Sequence, residues 1–191
     1  MRKQLASFSF ICFFLTGCSS VYLAVDNNST PVSEDRYSRT LGTTVEDESI
    51  ETKAYINIQK VDPQFASAHM VAVSFNGTVL LAGQVASEDL KNMAEDVVKK
   101  IRRVVRVHNA LTVSTPTAGM ARANDAWLTT KAKARILVED SLKHANIKVV
   151  TENGVIYLLG FVTKDQAETA TGTVRQVYGA QKIVTLFEYV Q

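Results

Sequence analysis

Cysteine is nearly absent from this chain. Its 191 residues include two, Cys12 and Cys18, both close to the N-terminus. Beyond residue 18 there is therefore no disulfide, no thiol nucleophile and no thiolate metal ligand. Histidine is as scarce. His69, His108 and His144 fall in separate predicted elements and offer no metal-ligand spacing. The nine glycines form neither a phosphate-cradling loop nor a nucleophile elbow. Carboxylates are scattered over predicted helix surfaces, as solubility requires. With so few chemical groups brought together, we expect no enzyme. A surplus of one charge is also missing: 21 basic residues face 19 acidic ones, for a formal net charge of +2. Global charge thus predicts no nucleic-acid partner, and only local patches matter. The apolar run from Leu5 to Leu15 is too short to cross a bilayer. Still, 46% of residues are hydrophobic, which excludes a chain disordered throughout.

What is present begins at the N-terminus. Arg2 and Lys3, followed by that short apolar run, have the form of a signal peptide over residues 1–17. The run ends in Leu15-Thr16-Gly17-Cys18. This tetrapeptide resembles the lipobox of bacterial lipoproteins, in which the cysteine is acylated and becomes the first mature residue. The resemblance implies that Cys12 leaves with the signal and that Cys18 carries covalent lipid, palmitate included. No other cofactor and no metal is expected. Loss of Arg2 and Lys3 would bring the formal charge to zero. Ser19, rather than Asp, follows the cysteine, which is similar to lipoproteins sorted to the outer membrane. Residues 18–46 are rich in Ser, Thr, Asn and Asp, contain Pro31 and lack periodicity. We read them as a lipidated flexible tether with a coil span of about 30 Å.

The remainder is an internal repeat. Asn76-Gly77, Gly83 and Val85 recur as Asn153-Gly154, Gly160 and Val162, and Ile50-Glu-Thr-Lys53 recurs as Leu128-Thr-Thr-Lys131. Each copy reads helix, strand, strand, helix, strand. The first comprises a helix at about 48–60, strands 69–75 and 78–85, a helix at 88–101 and a strand at 104–113. The second comprises a helix at 126–139, strands 147–152 and 155–162, a helix at 164–178 and a strand at 181–190. Asn-Gly between alternating apolar residues predicts a two-residue hairpin. The last strand must return through a helical crossover. The expected class is α+β: two tandem units at residues 47–113 and 124–191, joined by a linker at 114–123. Each would be a three-stranded mixed sheet covered on one face by two helices. Units this small need to pack on one another.

The repeat resembles the BON domain of bacterial envelope proteins. The likeness is carried by the segments Val149–Val162 and Val71–Val85, and by Asn124-Asp-x-Trp-x-Thr-Thr-Lys131. One departure stands out, since the family's usual glycine before the last strand is present as Gly179 but replaced by Arg103 in the first copy. The family resemblance implies a protein on the periplasmic face of the outer membrane, enriched at division sites and supporting envelope integrity. It implies that the second domain binds anionic phospholipid, such as phosphatidylglycerol or cardiolipin, through its first helix. Outer-membrane protein assembly machinery is a further implied partner, and a monomer is expected.

The residues supply their own reason to look at that helix. Leu128, Ala132 and Ile136 share one face and suit a core. Asn124 or Asp125 suits the N-cap. Trp127, Lys131, Ala134 and Val138 share another face, with Leu137 and Thr130 nearby and Lys133 and Arg135 flanking. Between copies the core positions agree, whereas the second stripe does not: Ser49, Gln59 and Lys60 stand where the second copy has Trp127, Leu137 and Val138. That apolar gain is not required by the fold. A tryptophan edged with cations suits a lipid headgroup zone. The competing reading is a protein-docking surface, for the first domain, an envelope assembly machine or the cell wall. The first domain, lacking the stripe, is expected to be a scaffold. Gly83 and Gly160, inside strands, are read as structural positions where a helix crosses the sheet. The basic cluster Lys99–Arg106 is read as a solvated helix end.

Overall fold

The computed structural model describes residues 40–116 and 119–190. Cys18, the signal and nearly all of the tether lie outside the described residues. Two copies of the same α-β-β-α-β unit follow one another. The first contains α1 (Leu41–Val61), β1 (His69–Phe75), β2 (Thr78–Val85), α2 (Glu88–Lys99) and β3 (Arg106–Val113). The second contains α3 (Gly119–Val138), β4 (Asn146–Glu152), β5 (Val155–Val162), α4 (Lys164–Arg175) and β6 (Lys182–Tyr189).

In each sheet the middle strand pairs antiparallel with the strand before it and parallel with the strand after it. The hairpins turn at Asn76-Gly77 and Asn153-Gly154, where all four residues have positive φ of 49–77°. That is the type I′ geometry the Asn-Gly pairs predict. The second helix of each unit is capped as its sequence suggests. Leu90 N–H donates to Ser87 Oγ, and Thr163 and Gln166 form a reciprocal capping box.

The alternation of the central strands explains how the layers stack. On β2, Val79, Leu81 and Val85 face α1 and α2, where they meet Ile50, Ala54, Ile58, Leu90, Ala94 and Val98. Leu80 and Ala82 point the other way. They join Tyr157 and Leu159 of β5 in a cluster that also takes in Phe75, Phe161, Val184 and Leu186. The sheets therefore pack face to face, and each sheet is covered by its own helices on one side and by the other sheet on the second. This supplies the mutual burial that units of this size need. Phe75 and Phe161 meet edge to face at 5.5 Å. Polar bonds cross as well: Gln84 Nε2 donates to Glu152 Oε1 at 2.9 Å, Thr78 Oγ1 to Glu188 Oε1 at 3.0 Å and Lys148 Nζ to Glu51 Oε1 at 2.7 Å.

Several expectations need correcting. Both first helices begin earlier than predicted, α1 at Leu41 with Thr40 as its cap and α3 at Gly119. Asn124 and Asp125 thus lie inside α3 and cap nothing. Instead the buried Asp125 carboxylate accepts from Asn153 N–H and Gly154 N–H, both at 2.8 Å. Asp47 does the same in the first unit, accepting from Asn76 N–H, Gly77 N–H and the Ser74 hydroxyl. At Gly83 and Gly160 the closest approach is made by the neighbouring strand. A Cβ there would strike the carbonyl of His69 or Asn146 on the neighbouring strand. Arg103 adopts φ 73° and Gly179 φ 98°, so the first turn keeps its left-handed conformation without a glycine.

Candidate functional site

Helix α3 is buried on the side that the spacing predicted. Asp125, Leu128, Ala132 and Ile136 are its buried residues. At 100° per residue, Trp127, Thr130, Ala134, Leu137 and Val138 project from the opposite side, and all five are exposed. Trp127 keeps 47% of its surface in solvent, Leu137 76% and Val138 77%. Neither the first domain nor the described part of the linker covers them. The helix thus presents an apolar strip down its solvent face.

Cations frame that strip. Lys131 and Arg135 lie on one flank and Lys133 on the other, all exposed. Lys131 Nζ sits 3.6 Å from the Trp127 ring centroid, four residues along the helix. This contact keeps the indole face and a positive charge at one place. Arg135 Nη1 donates to Gln176 Oε1 at 3.0 Å, which ties the end of α3 to α4. Thr130 returns its hydroxyl to the Ala126 carbonyl and leaves the strip free of unsatisfied polar groups there.

The first unit gives an internal comparison, and it modifies the scaffold expectation. Helix α1 does expose apolar residues, namely Leu41, Val45, Tyr55, Ile56 and, at its last position, Val61. Of these only Ile56 aligns with a strip position of α3, that of Ala134, and Glu48 and Thr52 fall between Tyr55 and Ile56 on the wheel. A carboxylate in the middle of the strip opposes an anionic surface. The strip of α1 is broken rather than absent. In the basic cluster, Lys99 is engaged by Glu95 at 2.6 Å and Arg103 by Glu46 at 2.7 Å. Lys100, Arg102 and Arg106 are exposed.

Among the described residues no group of three or more His, Cys, Asp or Glu is placed to hold a metal. Nor is any described helix long and apolar enough to cross a membrane. The feature that sequence reading missed is the aspartate clasp on each hairpin. Its signal was the recurrence of Asp47 and Asp125 at the spacing that relates the first helices.

Comparison with known proteins agrees with this architecture. The BON domain model matches twice, over residues 46–115 and 124–191. Outer membrane lipoprotein DolP of Haemophilus influenzae is 35% identical over 188 residues, covering 98% of this chain and 96% of that protein. The 21 kDa hemolysin of Actinobacillus pleuropneumoniae is 30% identical, covering 80% of this chain and 79% of its own length. Osmotically-inducible protein Y of Escherichia coli is 26% identical over 161 residues, covering 82% and 79%. With two BON matches, one on each observed unit, and near full-length similarity to DolP, the chain belongs to the BON-domain family as a tandem, DolP-like member.

Proposed function

We propose that this is a non-enzymatic lipoprotein of the outer membrane, anchored through Cys18, whose second domain binds anionic phospholipid through the exposed face of α3. The observation that carries the reading is Trp127, Leu137 and Val138 left in solvent between Lys131, Lys133 and Arg135. Each cation near an anionic surface contributes about 1 kcal/mol, and burying exposed side chains of this kind contributes roughly 1.5–3 kcal/mol each. The two contributions are comparable, and ordering losses reduce both. A contact of this size does not replace an acyl anchor. It biases where on the bilayer the anchored protein resides, which fits enrichment in anionic lipid at division sites and a supporting role in envelope integrity. Similarity to a protein named as an outer membrane lipoprotein supports the location.

The test uses the chain without residues 1–18, followed by Trp127 emission and by co-sedimentation with vesicles. Phosphatidylglycerol or cardiolipin vesicles should blue-shift the emission and pull the protein down, while phosphatidylcholine should not. Added salt should weaken binding without abolishing it. Trp127→Glu, with an unchanged circular dichroism spectrum, should lose most of the binding. If folded wild-type protein ignores anionic vesicles, the α3 face is instead a protein-docking surface, and crosslinking through position 127 in the envelope would seek its partner.

A further inference from the structure

The two units differ in one more place, on the outer flank of each second helix. In the first unit the space between α2 and β3 is plugged. Asn109 Nδ2 donates to the Lys91 carbonyl at 2.9 Å and to Glu95 Oε2 at 3.0 Å, and Lys99 closes on Glu95 at 2.6 Å. The cap residues Ser87 and Thr163 align the second helices, and the parallel registers starting at Arg106 and Lys182 align the last strands. By that alignment Glu95 corresponds to Thr171, Asp96 to Gly172 and Asn109 to Thr185. Glu95 and Asn109 have both become threonines, while Lys99 corresponds to Arg175, which has no glutamate at the matching position to close on. What remains is a groove of about 530 Å³ between α4 and β6, floored by Phe187.

Two further observations say what fits there. β6 is bonded on one side by β5, and no described strand occupies its other side. Alternate residues along its eight-residue length therefore offer a row of backbone donors and acceptors on the open edge. Lys164 and Arg175, both exposed and both lining the groove, stand about 16 Å apart along α4. That separation is the length of about five extended residues. An unpaired strand edge beside a groove lined by Ala167, Phe187 and Tyr189 as well as Thr171, Thr185 and Glu168, with a cation at each end, matches an extended peptide: main-chain bonds to the edge, alternate side chains over Phe187, acidic groups at the two flanking cations.

We propose that the groove between α4 and β6 receives an extended apolar peptide with acidic flanks, which adds to the second sheet as a fourth strand. This site is distinct from the α3 face and does not depend on lipid binding. Gly172 is the handle for testing it. A Cβ at this position would meet nothing within 4 Å. Gly172→Leu therefore projects into the groove from a Cβ that meets no neighbour, and replacing a helix-interior glycine keeps or raises stability.

The probe is a phage-displayed library of random eight-residue peptides, selected on the chain without residues 1–18, which contains every described residue. Enriched peptides should carry apolar residues at alternate positions and carboxylates at the flanks. They should bind wild type more than about tenfold tighter than Gly172→Leu, and shift the amide resonances of Ile183 to Tyr189. Thr171→Glu with Thr185→Asn, which restores the plug of the first unit, should abolish binding as well. The proposal fails if nothing is enriched over Gly172→Leu, or if the selected peptides bind all three proteins alike. It also fails if wild type sediments as a dimer that Gly172→Leu dissolves, since a second copy would then be the occupant.

Discussion

At the scale of single residues, the two buried aspartates do more for this fold than their number suggests. An Asn-Gly turn already prefers the I′ conformation, but its two amides point away from the ladder and need an acceptor. Asp47 and Asp125 reach them from the first helix of each unit. Each carboxylate thus fixes the helix against the hairpin as well as the turn itself. Asp125→Ala should lower stability by about 3 kcal/mol, because two charge-assisted bonds disappear and the amides remain partly buried. Asp125→Asn, which keeps an acceptor oxygen but brings unwanted donors, should fall between the two. Urea unfolding followed by far-ultraviolet circular dichroism measures both. A loss no larger than that of an exposed substitution would mean that water replaces the carboxylate and that the clasp contributes little.

At the scale of elements, the hairpins were legible because their signals are local. Period-two alternation and Asn-Gly placed β1, β2 and β5 at their observed ends. The starts of α1 and α3 were hidden because a glycine, Gly42 or Gly119, stands in the first turn of each and weakens the helix signal, and Asp125 imitates a cap while bonding a turn 28 positions further on. Nothing in a helical wheel announces such a partner. The exposed strip of α3 was legible by subtraction between the copies, since positions the fold does not need stood out. The groove beside α4 was not, because its lining residues are spread over two elements that only the crossover brings together. The α2–β3 turn shows the same limit. Arg103 accepts a left-handed conformation that costs a side-chain-bearing residue about 1–2 kcal/mol. Its ion pair with Glu46, partly exposed, offsets at most about 1 kcal/mol. Arg103→Gly and Arg103→Ala both remove that pair, and only glycine relieves the backbone. Thermal unfolding should therefore rank the glycine variant above the alanine variant by about 1 kcal/mol. Equal stability would show that the turn relaxes away from positive φ once the arginine is gone.

At the scale of the whole molecule, each unit lacks a complete covering of its own sheet, and the sheet-to-sheet core is what makes the pair a single body. That core contains a titratable group. His108 lies opposite Leu80 in the β2–β3 register, on the face that meets the second sheet, with its ring 6.4 Å from the Tyr157 ring. Burial there holds its pKa below the ordinary value of 6.5, and Lys182 on β6 lowers it further. In the unfolded chain the same imidazole titrates near 6.5. The unfolded state therefore takes up the proton first as pH falls. The stability owed to neutral His108 is complete above about pH 7.5 and declines as pH drops through 6.5 toward the lower folded pKa. His108→Gln cannot be protonated, so its unfolding free energy should fall less steeply than wild type between about pH 7.5 and 5.5. Carboxylates common to both proteins cancel in the comparison of slopes, and a uniform offset from altered packing leaves the slope untouched. Parallel curves would mean that His108 protonates as easily between the sheets as in water. In that case the interface opens enough to hydrate it, and the two domains are not held as one dry stack.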